Sequence, residues 1–263
     1  MENITIAVSK YGKPAEMDPR FRMLIMANSG AGKSCLIFNI IEKMVALLRS
    51  NMELWVVDGK RGAGTDPLSP RADRFITEPT DYLQCFQDFN TLIDQRFIAL
   101  KNMGKTCMTD EDLYKYPLIL FCVDEFNSVV GATEITKTAR TELQNIITQI
   151  TSRARVCNCA ILFCGHQFSA SAEGLNSISR QQFNYKAIMR TSEIQTVGML
   201  VPEAETAPAW LISQPGQFYF IENNEMPVLC KTWYTPEQDF KEIMIKYAVD
   251  KREKSDLWVV EKQ

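Results

Sequence analysis

The apolar positions of this chain fall into short runs separated by helical patterns. Residues 23–26, 54–57, 118–123 and 160–164 are nearly continuous apolar stretches, and residues 185–190 and 217–222 are weaker versions. Runs of that length, closed by Gly or acidic residues, read as buried strands. Between them, residues 33–49 place Leu36, Ile37, Ile40, Ile41, Met44 and Leu47 on one side, the spacing of an amphipathic helix. Residues 82–103, 139–152 and 236–250 read as further helices. Residues 1–22 are polar, carry Pro14 and Pro19, and predict a lead-in with one short edge strand over 4–8. Strands alternating with helices argue an α/β fold, a mainly parallel sheet with helices on both faces. No internal repeat or low-complexity segment interrupts the pattern. The expected division is a lead-in over 1–22, one α/β domain over 23–235 and a C-terminal helix and tail over 236–263.

Length and composition sharpen this only a little. The 263 residues suit one large domain. A net charge of -3 excludes a uniformly basic nucleic-acid surface, so any such contact must be local. The 8 cysteines show no zinc-ribbon spacing, Cys157 and Cys159 standing as an isolated C-x-C pair. They read as small buried hydrophobes in a reducing compartment. No signal segment and no apolar run near the ~20 residues of a membrane helix is seen, so the expectation is a cytoplasmic protein without direct membrane insertion.

The chemistry is concentrated in two places. Ala27-Asn28-Ser29-Gly30-Ala31-Gly32-Lys33-Ser34 is a P-loop with Ala at its first Gly position, between a strand and a helix. Glycines there turn successive N–H groups inward around phosphates, and the helix N-terminus adds its positive end. The expected nucleotide contacts are Asn28, Ser29, Gly30, Ala31, Gly32, Lys33, Ser34 and Cys35. Lys33 would reach the β/γ-phosphates and Ser34 would offer its hydroxyl to Mg²⁺. Downstream, the run 118–123 ends in Asp124-Glu125. Asp124 would hold Mg²⁺ through its water shell, and Glu125 would act as general base on the attacking water. A lone Asp-Glu pair is equally a solvated turn at a strand end; the P-loop upstream gives this one its partner.

Three further features are chemically suggestive. Gln167, ending the 160–164 strand, could sense the γ-phosphate or orient the water, with the sole histidine, His166, beside it. Arg153, Arg155 and Arg190 could each be a finger or sensor, against the ordinary reading of a solvated surface arginine. Lys60 and Arg61, with Arg71 and Arg74 nearby, sit in a Gly- and Pro-rich segment that could track a DNA backbone or simply be solvated. Residues 133–138 are a second loop of that kind.

The order of these motifs resembles the FtsK/SpoIIIE DNA translocases, within the FtsK–HerA group of P-loop ATPases, over roughly residues 22–234. Val123-Asp124-Glu125-Phe126 matches that family's "VDEF". Ala154-Arg155 through Gln167 is similar to its "ARAAGIHLVLATQ", allowing one extra residue, and Ala187-Ile188-Met189-Arg190 to its "IAFR". The second strand keeps the Asp and Lys of "D-P-K" as Asp58 and Lys60, but with Gly59 for Pro. Pro215-Gly216 falls at a late Gly motif. The resemblance implies a RecA-like core of the additional-strand (ASCE) class and a hexameric ring drawing double-stranded DNA through its pore. It further implies Gln167 as sensor and Arg155 as a finger acting on a neighbouring subunit. Neither membrane helices nor a DNA-reading winged helix is visible. The chain therefore reads as a bare motor of a virus, plasmid or mobile element, with a portal, relaxase or membrane-anchor protein as possible partner. An engine of protein secretion and a nucleotide-gated assembly module are the alternatives.

Overall fold

Every residue of the strand Leu118–Asp124 is buried, and its alternate side chains serve opposite faces. Ile119, Phe121 and Val123 join one apolar cluster, while Leu118, Leu120 and Cys122 join another. A sheet covered on both sides needs such continuously apolar strands. The computed structural model describes residues 1–168, 175–192, 194–201 and 203–251, and shows this sheet in full.

Ten strands follow in chain order: β1 (Ile4–Ser9), β2 (Pro14–Met17), β3 (Arg22–Met26), β4 (Met52–Asp58), β5 (Arg74–Ile76), β6 (Leu118–Asp124), β7 (Cys159–Gly165), β8 (Tyr185–Met189), β9 (Gln217–Glu222) and β10 (Val228–Lys231). The α-helices are α1 (Lys33–Leu48), α2 (Pro79–Met103), α3 (Phe126–Val130), α4 (Lys137–Arg153), α5 (Ser177–Gln181), α6 (Ile194–Gly198) and α7 (Glu237–Tyr247). Across the sheet the order is β2-β1-β10-β9-β8-β3-β7-β6-β4-β5. From β8 to β5 all neighbours are parallel; from β8 to β2 all are antiparallel. Strand β7 stands between β3 and β6, which is the additional strand of the ASCE class.

One face is covered by α2 and α4. Phe86 and Phe89 of α2 pack on Phe121, the second with ring centroids 4.4 Å apart. Leu143, Ile146, Ile147 and Ile150 of α4 join the same cluster. The other face is covered by α1, and α7 leans on it through Phe38 and Phe240, whose rings stack at 4.2 Å. Burial of Leu36, Ile37, Ile40, Ile41 and Met44 matches the expected stripe, whereas Leu47 lies outside it, 39% exposed.

Three expectations need correction. Residues 1–22 are more than a lead-in: they add two strands, and the edge is β2, with β1 paired on both sides. Pro14, a turn signal in the sequence, occupies the first position of the edge strand, where a missing N–H costs nothing. Arg71 is fully buried, its guanidinium held by Asp73 at 2.8 Å and the Met52 carbonyl at 2.7 Å, so it cannot track a polymer. Arg74 is paired with Asp88 at 2.5 Å and lies over the Trp55 ring at 4.0 Å. Six of the cysteines are buried, Cys35 is half-buried and Cys107 exposed, all as free thiols. No described helix is long and apolar enough to cross a membrane. The apolar stretch 257–260 of the tail lies outside the described residues.

Candidate active site

The C-terminal ends of β3, β7, β6 and β4 lie side by side, and the site is built on that edge. The P-loop leaves β3 pinned to its neighbours. The Ala27 N–H donates to the Gly165 carbonyl at 3.1 Å and the Asn28 N–H to the Arg190 carbonyl at 3.0 Å. Asn28, Ser29, Gly30 and Ala31 form the turn, closed by Ala31 N–H donating to the Asn28 carbonyl at 3.2 Å. Gly32 caps α1 in the left-handed region, φ 94°. A Cβ there would lie 2.5 Å from the Gly216 nitrogen, so only Gly fits. Gly216 in turn donates to the Ala31 carbonyl at 2.8 Å. The Pro215-Gly216 turn is therefore the outer wall of the P-loop, a role its weak sequence motif does not reveal. Lys33, Ser34 and Cys35 open α1, where backbone N–H groups have no intrahelical acceptor and point at an anion site.

Lys33 is buried and its ammonium reaches the acid pair. Its Nζ stands 2.6 Å from Asp124 Oδ1 and also contacts Glu125 Oε1. Burial presses the Lys33 pKa down, but the carboxylates overcome it and hold the ammonium protonated above its ordinary range. The two acids differ. Burial pushes the Asp124 carboxyl above the usual range; Lys33 recovers only part, and Glu125 and Asp58 add to the rise. Burial also pushes Glu125 up, yet Lys33, Lys60 and His166 together outweigh it and hold that carboxyl below its ordinary value. Glu125 is thus a weak base while its cations surround it.

A second loop closes over the pair. Asp58, at the end of β4 and opposite Asp124 in register, is fully buried. It accepts from the Lys60 N–H at 2.6 Å and the Thr65 hydroxyl at 2.6 Å, folding residues 58–65 back on themselves. That fold brings Lys60 Nζ to 2.8 Å from Glu125 Oε1. Gly59 donates to the Asp124 carbonyl at 3.0 Å, a bond proline cannot make, and a Cβ there would sit 2.7 Å from the Glu125 carbonyl oxygen. This explains Gly where the resembled family has Pro. Lys60, read from the sequence as a DNA contact, is engaged in the nucleotide site. Arg61 remains outside, paired with Glu134 at 2.8 Å, so the two loops singled out as polymer contacts touch each other.

The other predicted residues separate by position. Gln167 follows β7 on the same edge, exposed, its N–H donating to Asn127 Oδ1 at 3.4 Å. Arg190 lies beside its own P-loop, its guanidinium donating to the Gly30 carbonyl at 3.3 Å. Arg155 precedes β7 and therefore sits at the opposite end of the sheet, beyond seven strand residues, roughly 23 Å from the P-loop edge. There it pairs with Asp18 at 3.4 Å. Arg153 is tied to Asp94 and Asn90. Sequence reasoning missed Thr65, gave Asp58 and Gly216 no role in the site, and left His166 without a partner. His166 Nε2 is 3.1 Å from Glu125 Oε2 and its Nδ1 is 2.9 Å from the Ala27 carbonyl. The signal for Asp58 and Lys60 was present, since an additional-strand order puts β4 next to β6.

The residues fit ATP and Mg²⁺. The donor set toward a cation is hard oxygen, the Ser34 hydroxyl and the Asp124 carboxylate. No cluster of three His, Cys, Asp or Glu able to hold a metal occurs among the described residues. Mg²⁺ takes few protein ligands and completes its shell with water and phosphate.

No family model matches the chain, and no curated protein does. Solved structures do. The pCW3 conjugation coupling protein TcpA, in its monomer form with ATPγS, superposes with a TM-score of 0.77 at 14% identity, over 93% of this chain and 70% of that one. The cytoplasmic domain of the type VII secretion ATPase EccC from Thermomonospora curvata gives 0.76 at 16% identity, over 98% of this chain but 32% of that one. The genome-packaging NTPase B204 from Sulfolobus turreted icosahedral virus 2, in complex with ATPγS, gives 0.50 at 13% identity, over 82% of this chain and 99% of that one. The chain spans about a third of EccC and most of TcpA. Neighbours of this kind accord with the FtsK–HerA resemblance of the motif order. What the chain shares with them is a fold: the RecA-like α/β sheet of the P-loop NTPases, with an additional strand between the P-loop strand and the acidic strand.

Proposed function

We propose that this chain is an ATPase whose hydrolysis drives double-stranded DNA through a homo-oligomeric ring, a hexamer by the family resemblance. The setting is packaging or transfer by a virus, plasmid or mobile element. The observation that carries the reading is the contact of Lys33 with both Asp124 and Glu125 at the mouth of the P-loop. A phosphate-binding ammonium, a cation-binding carboxylate and a second, adjacent carboxylate make a water-activating site. In this reading Asn28, Ser29, Gly30, Ala31, Gly32 and Cys35 cradle the phosphates and Lys33 neutralises them. Mg²⁺, held by Ser34 and through water by Asp124, supplies charge neutralisation at the β/γ-phosphates when bound. Glu125 accepts the proton of the attacking water, and Gln167 orients that water.

The two arginines take different roles. Arg190, touching its own P-loop, acts in cis as sensor. Arg155, at the far end of the sheet, completes a neighbour's site. The motor unit is centred on 23–235, with 1–22 adding β1 and β2 to its sheet, 236–263 following it, and the cytoplasm as its compartment. Contact with DNA falls chiefly to Arg61, since Lys60 is occupied by Glu125. A portal, relaxase or membrane-anchor protein would be the external partner. The TcpA and B204 likenesses support transfer and packaging.

The EccC likeness, at a TM-score of 0.76, supports a second reading, an engine of protein secretion. ATP hydrolysis measured with and without double-stranded DNA, with Glu125→Gln as control, separates them. Stimulation by DNA that vanishes in Glu125→Gln is the expected result. Hydrolysis indifferent to DNA would favour the secretion engine. Oligomerisation on ATP with no turnover would favour a nucleotide-gated assembly module.

A further inference from the structure

The two carboxylate oxygens of Glu125 have different partners. Oε1 takes both ammonium groups, Lys33 and Lys60. Oε2 faces His166 Nε2 at 3.1 Å. On the proposed function, phosphate at the P-loop competes for Lys33 at the first oxygen, whereas His166 meets the second oxygen from the side of Ala27.

The histidine is itself fixed at its other nitrogen. Nδ1 lies 2.9 Å from the Ala27 carbonyl oxygen, which can only accept, so Nδ1 carries a proton. The Glu125 carboxylate likewise can only accept, so the contact at Nε2 is a hydrogen bond only with a second proton there, and the tie is made by the doubly protonated ring. Ala27 follows the end of β3, His166 follows β7, and Glu125 follows β6, and these are three adjacent strands. The ring is a strut across the sheet edge, from the root of the P-loop to the acidic strand. Glu125 also has a left-handed backbone, φ 52° and ψ 51°, which a non-glycine residue holds only when its surroundings fix it.

We propose that His166 is a positioning residue for hydrolysis: it ties Glu125 Oε2 to the P-loop root, so the base stays aimed when Lys33 turns to phosphate. This rests on the reading of Glu125 as the base. It also makes His166 more than a neighbour of the sensor Gln167.

The chain has one histidine, so ¹⁵N-histidine labelling reports a single imidazole. The experiment records its two-bond ¹H–¹⁵N correlations in the full chain, with and without ATPγS, and in Glu125→Gln. It adds kcat and KM for His166→Ala and His166→Gln. The expected spectrum shows protons on both ring nitrogens in both states and an Nε2 resonance that moves in Glu125→Gln. The expected kinetics are a kcat about 10- to 100-fold lower in His166→Ala, the scale of misplacing a reacting group by about an ångström. KM should stay within about twofold, and His166→Gln, whose amide can donate from the Nε2 position, should recover most of the loss. A ring bare at either nitrogen, or a kcat in His166→Ala equal to wild type while Glu125→Gln is inactive, overturns the proposal alone. Wild-type turnover in Glu125→Gln would overturn the base assignment, and the proposal with it.

Discussion

The two ends of the parallel sheet carry the same kinds of charge in opposite circumstances. At the C-terminal edge, Lys33, Asp124 and Glu125 are all under a tenth exposed and satisfy one another. At the N-terminal edge, Arg155 and Asp18 form a pair that is 53% and 34% exposed, beside Arg20 and Asp110 at 2.7 Å. Between them an open cleft of about 770 Å³ is lined by these four residues together with Cys107 and Glu111. Buried charges depend on each other, because removing one leaves the rest desolvated. Exposed pairs exchange partners at little cost. The difference teaches a division of labour. The groups proposed to hold geometry through hydrolysis lie in the buried cluster, and the group proposed to serve a neighbour lies where it can let go.

The largest effect should come from splitting those ends between subunits. On the proposed function, Glu125→Gln removes the base of a subunit's own site, and Arg155→Ala removes the finger it would lend. Each variant alone should lose ATP turnover by about 10³-fold or more, the scale of a missing trans arginine, while still binding ATPγS. Mixed together, the two should regain part of the activity, because an Arg155→Ala subunit keeps its base and can borrow a finger from a Glu125→Gln neighbour. The readout is turnover across mixing ratios. A curve with no maximum would remove Arg155 from the neighbour's site and make the comparison of ends a matter of stability only.

Removing the central ammonium should be next. Lys33→Met leaves two carboxylates facing each other in a buried site, with Lys60 as partial compensation. A loss of about 3–5 kcal/mol is expected by denaturant titration at neutral pH. The pH dependence has a definite sign. Glu125 is held below its ordinary range in the wild type, so its contribution is present above the unfolded-state carboxylate pKa and is lost as pH falls through its folded value. The gap between wild type and Lys33→Met should therefore narrow on acidification. A gap constant from pH 7 to pH 3 would show that packing of the lysine stem, not charge, sets the difference.

Much of this was legible in the sequence, and the reasons are local. The P-loop and the Asp124-Glu125 strand end are contiguous in the chain, and continuous apolar runs marked β4, β6 and β7 within two residues of their observed bounds. Strands β2, β5 and β10 were not legible. They are three or four residues long, carry exposed positions, and owe their existence to a neighbouring strand rather than to their own pattern. The site divides in the same way. Lys60 reads as a loop lysine because its partner is 65 positions away, and only the pairing of β4 with β6 brings Glu125 to it. Arg71 reads as solvated because the carbonyls that surround it belong to residues 49 and 52.

Gly59 tests whether the second loop is fixed as tightly as the acids beneath it. A Cβ would come within 2.7 Å of the Glu125 carbonyl oxygen and 2.9 Å of Ser128 Cβ, both belonging to the α3 turn. Gly59→Ala should cost about 1–3 kcal/mol through this overpacking, and displacement of Glu125 should lower kcat along with it. A stable variant with reduced kcat would show that the 58–65 loop yields and the base does not recover. A stable, fully active one would show that Glu125 is not held from this side.

The smallest effect belongs to the exposed end, and it is the prediction that most directly probes the contrast. Asp18 accepts the Arg20 N–H through Oδ1 at 2.8 Å and meets Arg155 through Oδ2. Asp18→Asn can keep the first contact while removing the charge from the second. Its stability should move by less than about 1 kcal/mol, and the shift should shrink further as salt rises, as for any exposed pair. Turnover in the assembled state should be unchanged or higher, because the arginine loses a competitor of the phosphate it is proposed to approach. A loss of stability on the scale of Lys33→Met would mean that the Asp18–Arg155 contact is structural. Arg155 would then be held by its own subunit as firmly as Lys33 is, and the division between a fixed end and an exchanging end would no longer hold.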